Sequence, residues 1–361
     1  MILTRIELRD WRSYSSLDLS FDKGLTVIEG KNGEGKTNIA EAIHYLSFAH
    51  SWRTDDDTHL LRVGTPNSLI RAYVNEGELR RVIEIHLSKD GKRILLNEKP
   101  LRKLSELSSL INVLLFSPAD TGLFIGSPGN RRSFLDTSIA KIDPTYLSLI
   151  GTYRHLLAER NASLKAEKRD FDYLDVLVER LLEIEKPIIE KRLAYVKSLN
   201  EHLSPLASRL FGSPRAVKVA YRPFLEMNDN FIEEGKKAYK KSLESDLIHK
   251  STSLGVHRED FICYLDNKDI GVYGSQGENR LAAIALKLCP YFLISEPNKK
   301  PIAVLDDIYS ELDSTHARNL STLLLTLNQT FVTATKLNIP GASYIEVTDH
   351  KAYRRNNEYG E

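Results

Sequence analysis

Apolar positions change their spacing along this chain, and the changes outline its elements. Near the N-terminus Ile6 and Leu8, then Leu17, Leu19 and Phe21, alternate with polar residues, the period of half-buried strands. Residues 25–30, LTVIEG, are a short apolar run closed by glycine, and TNIAEAIHYLSFA after the next loop has helical character. Residues 68–96 read as further strands, with turn signals at Asn75–Gly77 and Asp90–Gly91, and VLLF at 113–116 is another short strand. After Ser117–Pro118 the pattern becomes helical over most of 131–210. Leu182, Ile189, Val196 and Leu203 recur every seven residues, the spacing of a helical hairpin or short coiled-coil seam. An ordinary amphipathic helical subdomain fits the same pattern, and Pro187 argues for a kink or break in any single helix there. From 261 strand character returns in FICYLD, IAVLDD, TFVTAT and SYIEVT, with helices between them. The tail HKAYRRNNEYGE is polar and is expected to fray.

The order β/α, helical, β/α places a helical insertion inside one split α/β domain. The expected division is lobe I at 1–116 plus 256–361, and lobe II, mostly helical with a short hairpin or coiled-coil arm, at 117–255. A chain of 361 residues is long for one core and suits two. Its net charge is +1, so only local patches, not a global field, can mark a nucleic-acid binder. Cys263 and Cys289 form no CxxC pair, which argues against a disulfide framework or zinc site and for a reducing compartment. MILTRIELRDW has no apolar signal core, and no apolar run nears the ~18–20 residues of a membrane span. A cytoplasmic protein with no membrane partner is expected.

Residues 30–37, GKNGEGKT, fit G-x-x-x-x-G-K-[ST], with a strand before and a helix after. Gly33 and Gly35 let backbone N–H groups turn inward around phosphate oxygens, and the helix N-terminus adds partial positive charge. Lys36 suits the β and γ phosphates, and the Thr37 hydroxyl suits Mg²⁺. The candidate ATP-binding set is Gly30, Lys31, Asn32, Gly33, Glu34, Gly35, Lys36, Thr37 and Asn38. Residues 301–313, PIAVLDDIYSELD, supply the carboxylates such a loop needs. An apolar strand ends on Asp306, where ligands of open α/β sheets bind, so Asp306 joins Thr37 as a Mg²⁺ candidate. Asp307 points the other way and, with Lys36, is the catalytic candidate, placed to orient an attacking water.

Residues 273–280, YGSQGENR, lack an apolar face yet stand at the mouth of an apolar helix, LAAIALKL. The string resembles the signature motif of ABC-type ATPases, and SELD at 310–313 resembles their D-loop. That resemblance implies that Ser275, Gln276, Gly277 and Glu278 grip ATP held by the partner subunit; Ser275 also suits a helix N-cap. Thr333 or Thr335 stands where the transporter-type switch histidine would be, Asp307 replaces the usual glutamate, and Asp120 of FSPAD falls near the usual Q-loop position.

Across nearly its whole length the chain resembles the RecF family of recombination and repair proteins, relatives of SMC heads. The strings carrying the likeness are LRDWRSYSSLDLSF, GKNGEGKTNIAEAIHYLS, LLFSPADTGLFIGSPGNRRSFLD, LGVHREDF, YGSQGENR and VLDDIYSELD. Val256 and Glu259 depart from a Pro and an Asp of the family pattern, whereas the Asp-Asp pair is the family form. The resemblance implies an ABC-type P-loop ATPase head with weak, DNA-dependent ATP hydrolysis and a homodimer with ATP sandwiched between heads. It also implies action at gapped DNA with RecR, and in many bacteria RecO, to help RecA assemble after DNA damage.

DNA contacts should be electrostatic and weaken with salt. The candidates are Arg131 and Arg132, then Lys165, Lys168 and Arg169, then Lys191–Arg192 and Lys236/Lys237/Lys240/Lys241, each of which also reads as solvated surface. The place of Arg131 and Arg132 in the family string allows a role in the fold instead. Three other classes stay open on the sequence alone: a transporter's nucleotide subunit, a P-loop small-molecule kinase, and a scaffold that binds nucleotide without hydrolysis.

Overall fold

The computed structural model describes residues 1–101 and 106–355. The chain opens with β1 (Ile2–Trp11), β2 (Tyr14–Ser20), β3 (Gly24–Glu29), α1 (Lys36–Phe48), β4 (Asn67–Glu76), β5 (Leu79–Ser88), β6 (Gly91–Leu96), β7 (Lys99–Pro100), α2 (Leu107–Leu110) and β8 (Val113–Phe116). It continues with α3 (Pro128–Ile142), α4 (Thr145–Lys165), α5 (Phe171–Phe211), β9 (Val217–Arg222), α6 (Phe231–His249), β10 (Asp260–Leu265), β11 (Lys268–Asp269) and α7 (Ile270–Tyr273). It closes with α8 (Gln276–Leu293), β12 (Ile302–Leu305), α9 (Ser314–Leu324), β13 (Gln329–Ala334), β14 (Ser343–Thr348) and β15 (Lys351–Arg355). Among the described residues no helix is long and apolar enough to cross a membrane.

Two compact units result: Met1–Thr121 with Pro205–Arg215 and the chain from Gln276 onward, and Gly122–Ser204 with Ala216–Ser275. The first holds two six-stranded sheets, an antiparallel one in the order β2-β1-β4-β5-β6-β7 and a mainly parallel one in the order β15-β14-β3-β13-β12-β8. Their shared core includes Leu3, Ile6 and Trp11 of β1, Ile39 and Ile43 of α1, and Ile302 and Val304 of β12. Burying such an aliphatic side chain stabilises the fold by about 1.5–3 kcal/mol. Strand β12 is buried along its whole length, which is why its sequence is an unbroken apolar run rather than an alternating one.

The division differs from the expected one. The stretch 117–255 contains a strand, β9, and β9 pairs antiparallel with β10, Phe261 opposite Tyr221. The pairing holds β10 in the second unit, so the first resumes at Gln276 rather than 256. Pro187 does not end its helix: α5 runs unbroken from Phe171 to Phe211. Leu182, Ile189, Val196 and Leu203 are all buried along it. The hairpin partner is α4, joined to α5 by residues 166–170, and Tyr173 Oη donates to Glu159 at 2.7 Å across the turn. The tail does not fray at once either, because β15 pairs with β14 from Thr348–Lys351 to Tyr344–Arg355. Its last six residues, 356–361, lie outside the described residues.

The second unit has a polar interior. Arg192, expected as a surface cation, is 1% exposed. It donates to Glu259 at 2.7 Å, to the Val256 carbonyl at 2.9 Å, to Asp136 at 2.9 Å and to Tyr146 Oη at 2.9 Å. Beside it Glu185 is wholly buried and accepts from Tyr239 Oη at 2.9 Å. Burial pushes the Glu185 carboxyl up to about 8, which favours its neutral form at pH 7. His257 Nε2 faces the Thr252 carbonyl at 3.1 Å and carries the proton, leaving Nδ1 to accept from Tyr153 Oη at 2.5 Å. Burial lowers the His257 pKa to about 4.

Candidate nucleotide site

The phosphate-binding loop forms where β3 ends inside the parallel sheet and the chain must reverse into α1. Gly33 and Gly35 have φ of 87° and 110°, backbone that a side chain would strain. A Cβ on Gly35 would lie 2.8 Å from Tyr14 Oη, whereas one on Gly33 would meet nothing within 4 Å. Lys36, the first residue of α1, folds back over the loop and donates from Nζ to the carbonyls of Gly30 at 2.7 Å and Lys31 at 2.8 Å. Burial lowers its pKa, and Asp307, Asp306 and Glu34 work against that shift.

Sheet order assembles the rest. Strand β13 lies between β3 and β12, so a β13 side chain can reach the residues at the C-terminal ends of both neighbours. Thr37 Oγ1 lies 3.0 Å from Asp306 Oδ1. Thr333 of β13 donates to that same oxygen at 2.7 Å and accepts from the Asp307 backbone N–H at 2.9 Å. Of the two threonines considered at the histidine position, Thr333 is therefore the buried one inside the site, and Thr335 is exposed. Burial raises the Asp306 pKa, with hydrogen bonds from Thr333 and Thr37 opposing the rise. Asp307 is exposed and left-handed at φ 48°, and its charge acts on both Lys36 and Asp306. Lys36, Thr37, Asp306, Asp307 and Thr333 thus form one cluster. Among the described residues no trio of His, Cys, Asp or Glu could hold a metal. A cation here would take Thr37 and Asp306 and complete its shell from phosphate and water, as Mg²⁺ does in such loops.

Sequence reasoning missed the support beneath this cluster. Glu41 of α1 is fully buried, paired twice with Arg12 at 2.6 and 2.8 Å, once with Arg53 at 3.1 Å, and with Ser51 Oγ at 2.5 Å. Arg53 also donates to Asn38 Oδ1 at 2.8 Å, and Asn38 Nδ2 donates to Ser13 Oγ at 2.9 Å. The signal was a glutamate inside the apolar helical run IAEAIHYL, since a buried carboxylate needs cationic partners.

Ser275, Gln276 and Gly277 are exposed at the start of α8. A Cβ on Gly277 would meet no atom within 4 Å, so packing within this chain does not require glycine there. Glu278 pairs with Arg215 at 3.2 Å. Arg280, further along α8 and buried, donates to the Ile308 carbonyl at 2.9 Å and pairs with Glu311, tying α8 to the loop that carries Asp307. In that loop Asp313 caps α9, accepting from the backbone N–H groups of Thr315 and His316 at 2.9 Å each.

Several basic candidates have partners within the fold. Arg131 makes a two-point contact with Asp260 at 2.7 and 2.8 Å and a bond to the Gly126 carbonyl at 2.8 Å. Those contacts give its guanidinium a part in holding the fold together. Arg132 donates to the Glu259 carbonyl at 2.8 Å, Lys191 pairs with Asp143 at 2.5 Å, and Lys236 pairs with Glu179 at 2.7 Å. Lys165, Lys168 and Arg169, around the α4–α5 turn, are exposed. Asp120 is occupied too: it accepts from Ser117 N at 2.8 Å and from Lys287 Nζ at 2.8 Å.

The family model described as RecF/RecN/SMC N terminal domain matches residues 2–347. The DNA replication and repair protein RecF of a Bacillus cereus strain is 34% identical over 348 residues, covering 94% of this chain and 93% of that one. The chain belongs to the RecF family. The RecF of Bacillus cytotoxicus is likewise 34% identical over 346 residues, with 94% and 93% covered. Among solved structures, the recombination mediator protein RecF-ATP in the RecFOR pathway superposes with a TM-score of 0.89 at 30% identity, covering 98% of this chain and 97% of that one. An Smc head bound to the C-winged helix domain of ScpA gives 0.62 at 16% identity, covering 99% and 98%, a likeness of fold alone. Membership of the RecF family displaces the transporter-subunit and small-molecule-kinase readings. It also frames the two departures in LGVHREDF. Val256, where the resemblance leads one to expect proline, has an N–H that donates to buried Glu185 at 3.3 Å, a bond proline cannot make. Glu259, in place of aspartate, has the reach to bond both Arg192 at 2.7 Å and Phe224 N at 3.0 Å.

Proposed function

We propose that this chain is an ATP-dependent DNA-binding protein of replication and recombinational repair, whose ATP site is completed by a second copy of itself. The observation that carries the proposal is the Lys36–Thr37–Asp306–Thr333–Asp307 cluster at the C-terminal ends of β3, β12 and β13. Such a cluster supplies the cation for phosphates, the ligands for a metal and an exposed carboxylate for water. The relatives' name, DNA replication and repair protein RecF, and the solved RecF-ATP complex support the same reading.

In the proposed cycle the backbone of Gly30–Lys36 binds the phosphates and Lys36 neutralises them. Thr37 and Asp306 would hold Mg²⁺, which when bound would offset charge on the phosphate oxygens. Thr333 fixes Asp306 and the backbone of Asp307, and Asp307 positions the attacking water. Ser275 and Gly277 close on the nucleotide of the partner copy, which suits a glycine left open by its own chain. Nucleotide then stabilises the dimer by mass action, because only the dimer makes both sets of contacts. DNA contact is assigned to Lys165, Lys168 and Arg169, the exposed cations of the hairpin turn, with RecR and RecO as protein partners and RecA assembly as the outcome.

The test is anisotropy of labelled gapped DNA at several salt concentrations, with and without ATP. ATP should tighten binding, the affinity should fall steeply with salt, and Lys36→Met should abolish the ATP effect. ATP-responsive binding that survives Lys36→Met would count against the proposal.

A further inference from the structure

The polar tail of the sequence forms a hairpin that touches the phosphate loop at both ends. Strand β14 runs parallel to β3, with Glu346 opposite Glu29. A Cβ on Gly30 would lie 2.3 Å from the Val347 carbonyl oxygen, so β14 itself requires the first glycine of the loop. In β15, Arg355 pairs with Glu29, the residue before the loop, and its guanidinium lies 4.1 Å from the Tyr344 ring centre. The turn between the strands, Asp349–His350, reaches the middle of the loop. The Asp349 N–H donates to the Glu34 carboxylate, and His350 Nδ1 lies 3.1 Å from the Glu34 carbonyl oxygen.

The turn has a favoured residue first and an unusual one second. Thr348 pairs with Lys351, leaving a two-residue connection. Asp349 and His350 have φ of 49° and 56°. Both central positions are left-handed, which favours Asn-Gly or Asp-Gly, so Asp349 suits its place and His350 stands where glycine is preferred. The two-residue hairpin itself demands that backbone, and it carries the Asp349 N–H and the His350 ring to Glu34. Glu34 is also the one acidic residue of GKNGEGKT. Unrestrained, its carboxylate would repel a phosphate; bonded to Asp349 N–H, it is drawn to the hairpin.

We infer that the β14–β15 turn is a clasp on the phosphate loop, with Asp349 and His350 as positioning residues that act on nucleotide through Glu34. The inference rests on the nucleotide reading above. Three variants of the full chain separate the two claims, each measured by titration with a fluorescent ATP analogue and by thermal melting. His350→Gly gives the turn its preferred residue and removes the imidazole's contact with the Glu34 carbonyl, while the Asp349 N–H bond to the Glu34 carboxylate can remain. The nucleotide affinity should fall about fivefold to tenfold, the scale of one lost hydrogen bond, while the melting temperature holds or rises. His350→Asn tolerates the left-handed backbone and puts an amide nitrogen near the place of Nδ1, so it should restore affinity. Lys36→Ala should abolish binding. If His350→Gly binds as tightly as the parent while Lys36→Ala does not bind, the clasp is wrong and the nucleotide site stands. If Lys36→Ala binds normally, both fall. An affinity loss in His350→Gly that comes with a lower melting temperature, without rescue by asparagine, means the hairpin has unfolded and overturns the clasp.

Discussion

Replacing Thr333 by valine removes one hydroxyl and keeps the β-branched shape, so its consequences fall on two hydrogen bonds. Asp306 loses a donor at 2.7 Å, and the Asp307 N–H loses its acceptor at 2.9 Å. A buried group left without its partner costs about 1–3 kcal/mol, so the variant should lose roughly 2–5 kcal/mol of stability. The chemistry should suffer separately. Burial already raises the Asp306 pKa, and the Thr333 hydrogen bond is the largest influence opposing it. Without that bond the carboxyl climbs further, so the acid limb of the ATPase pH profile should move to higher pH. The left-handed Asp307 backbone also loses its anchor, and turnover should drop about 10- to 100-fold, worth ~1.4–2.8 kcal/mol of barrier. ATP affinity should change little, because Lys36 and the loop are untouched. The assay is phosphate release against pH with DNA present, alongside urea unfolding, and Thr333→Ser should recover most of the loss. Wild-type turnover with an unmoved pH profile in Thr333→Val would refute the assignment of Thr333 as the anchor of both carboxylates.

Other expected outcomes rest on the same contacts. The folded pKa of Glu185, about 8, lies above its ordinary 4.5, so the folded state holds a proton that the unfolded state releases, and stability falls as pH rises from ~4.5 to ~8, by at most about 5 kcal/mol. His257, lowered to about 4, works in the opposite direction between ~4 and ~6.5, gaining stability as pH rises. Glu185→Gln should therefore remove the loss seen above pH ~6.5; urea unfolding at pH 6 and 8 with the same slope as the parent would contradict this. Val256→Pro removes the N–H given to Glu185 and should destabilise the second unit by about 1–2 kcal/mol, readable by denaturant unfolding. Arg131→Gln should lower the unfolding midpoint and leave the salt slope of DNA binding unchanged, whereas Lys165→Gln with Lys168→Gln should reduce that slope and leave the midpoint in place.

Much of the fold was legible because periodicity and motif context agreed. The strands LTVIE, VLLF, IAVL, TFVTAT and SYIEVT all formed, and the apolar runs among them are the strands buried in the parallel sheet. The phosphate loop and Asp306 were legible because their chemistry dictates residue type as well as spacing. The hidden features depended on long-range partners. VKVAYR became a strand because it found β10, and Arg192 and Arg131 read as surface cations because the carboxylates that bury them, Glu259 and Asp260, lie far along the chain. KAYRR became a strand because it found β14 across a turn with histidine where glycine is preferred. Pro187 was overread, since tertiary burial of the flanking leucine seam sustains the helix across it.

The central claim is that one chain's ATP site is finished by Ser275 and Gly277 of another. Sedimentation of an Asp307→Asn variant, with and without Mg·ATP, tests it most directly, because blocking hydrolysis holds any closed state. The account predicts a monomer that becomes a dimer with ATP, and a monomer under both conditions once Ser275→Arg is added. A chain that binds ATP yet stays monomeric at every concentration, or one whose ATP-driven dimer survives Ser275→Arg, would contradict it.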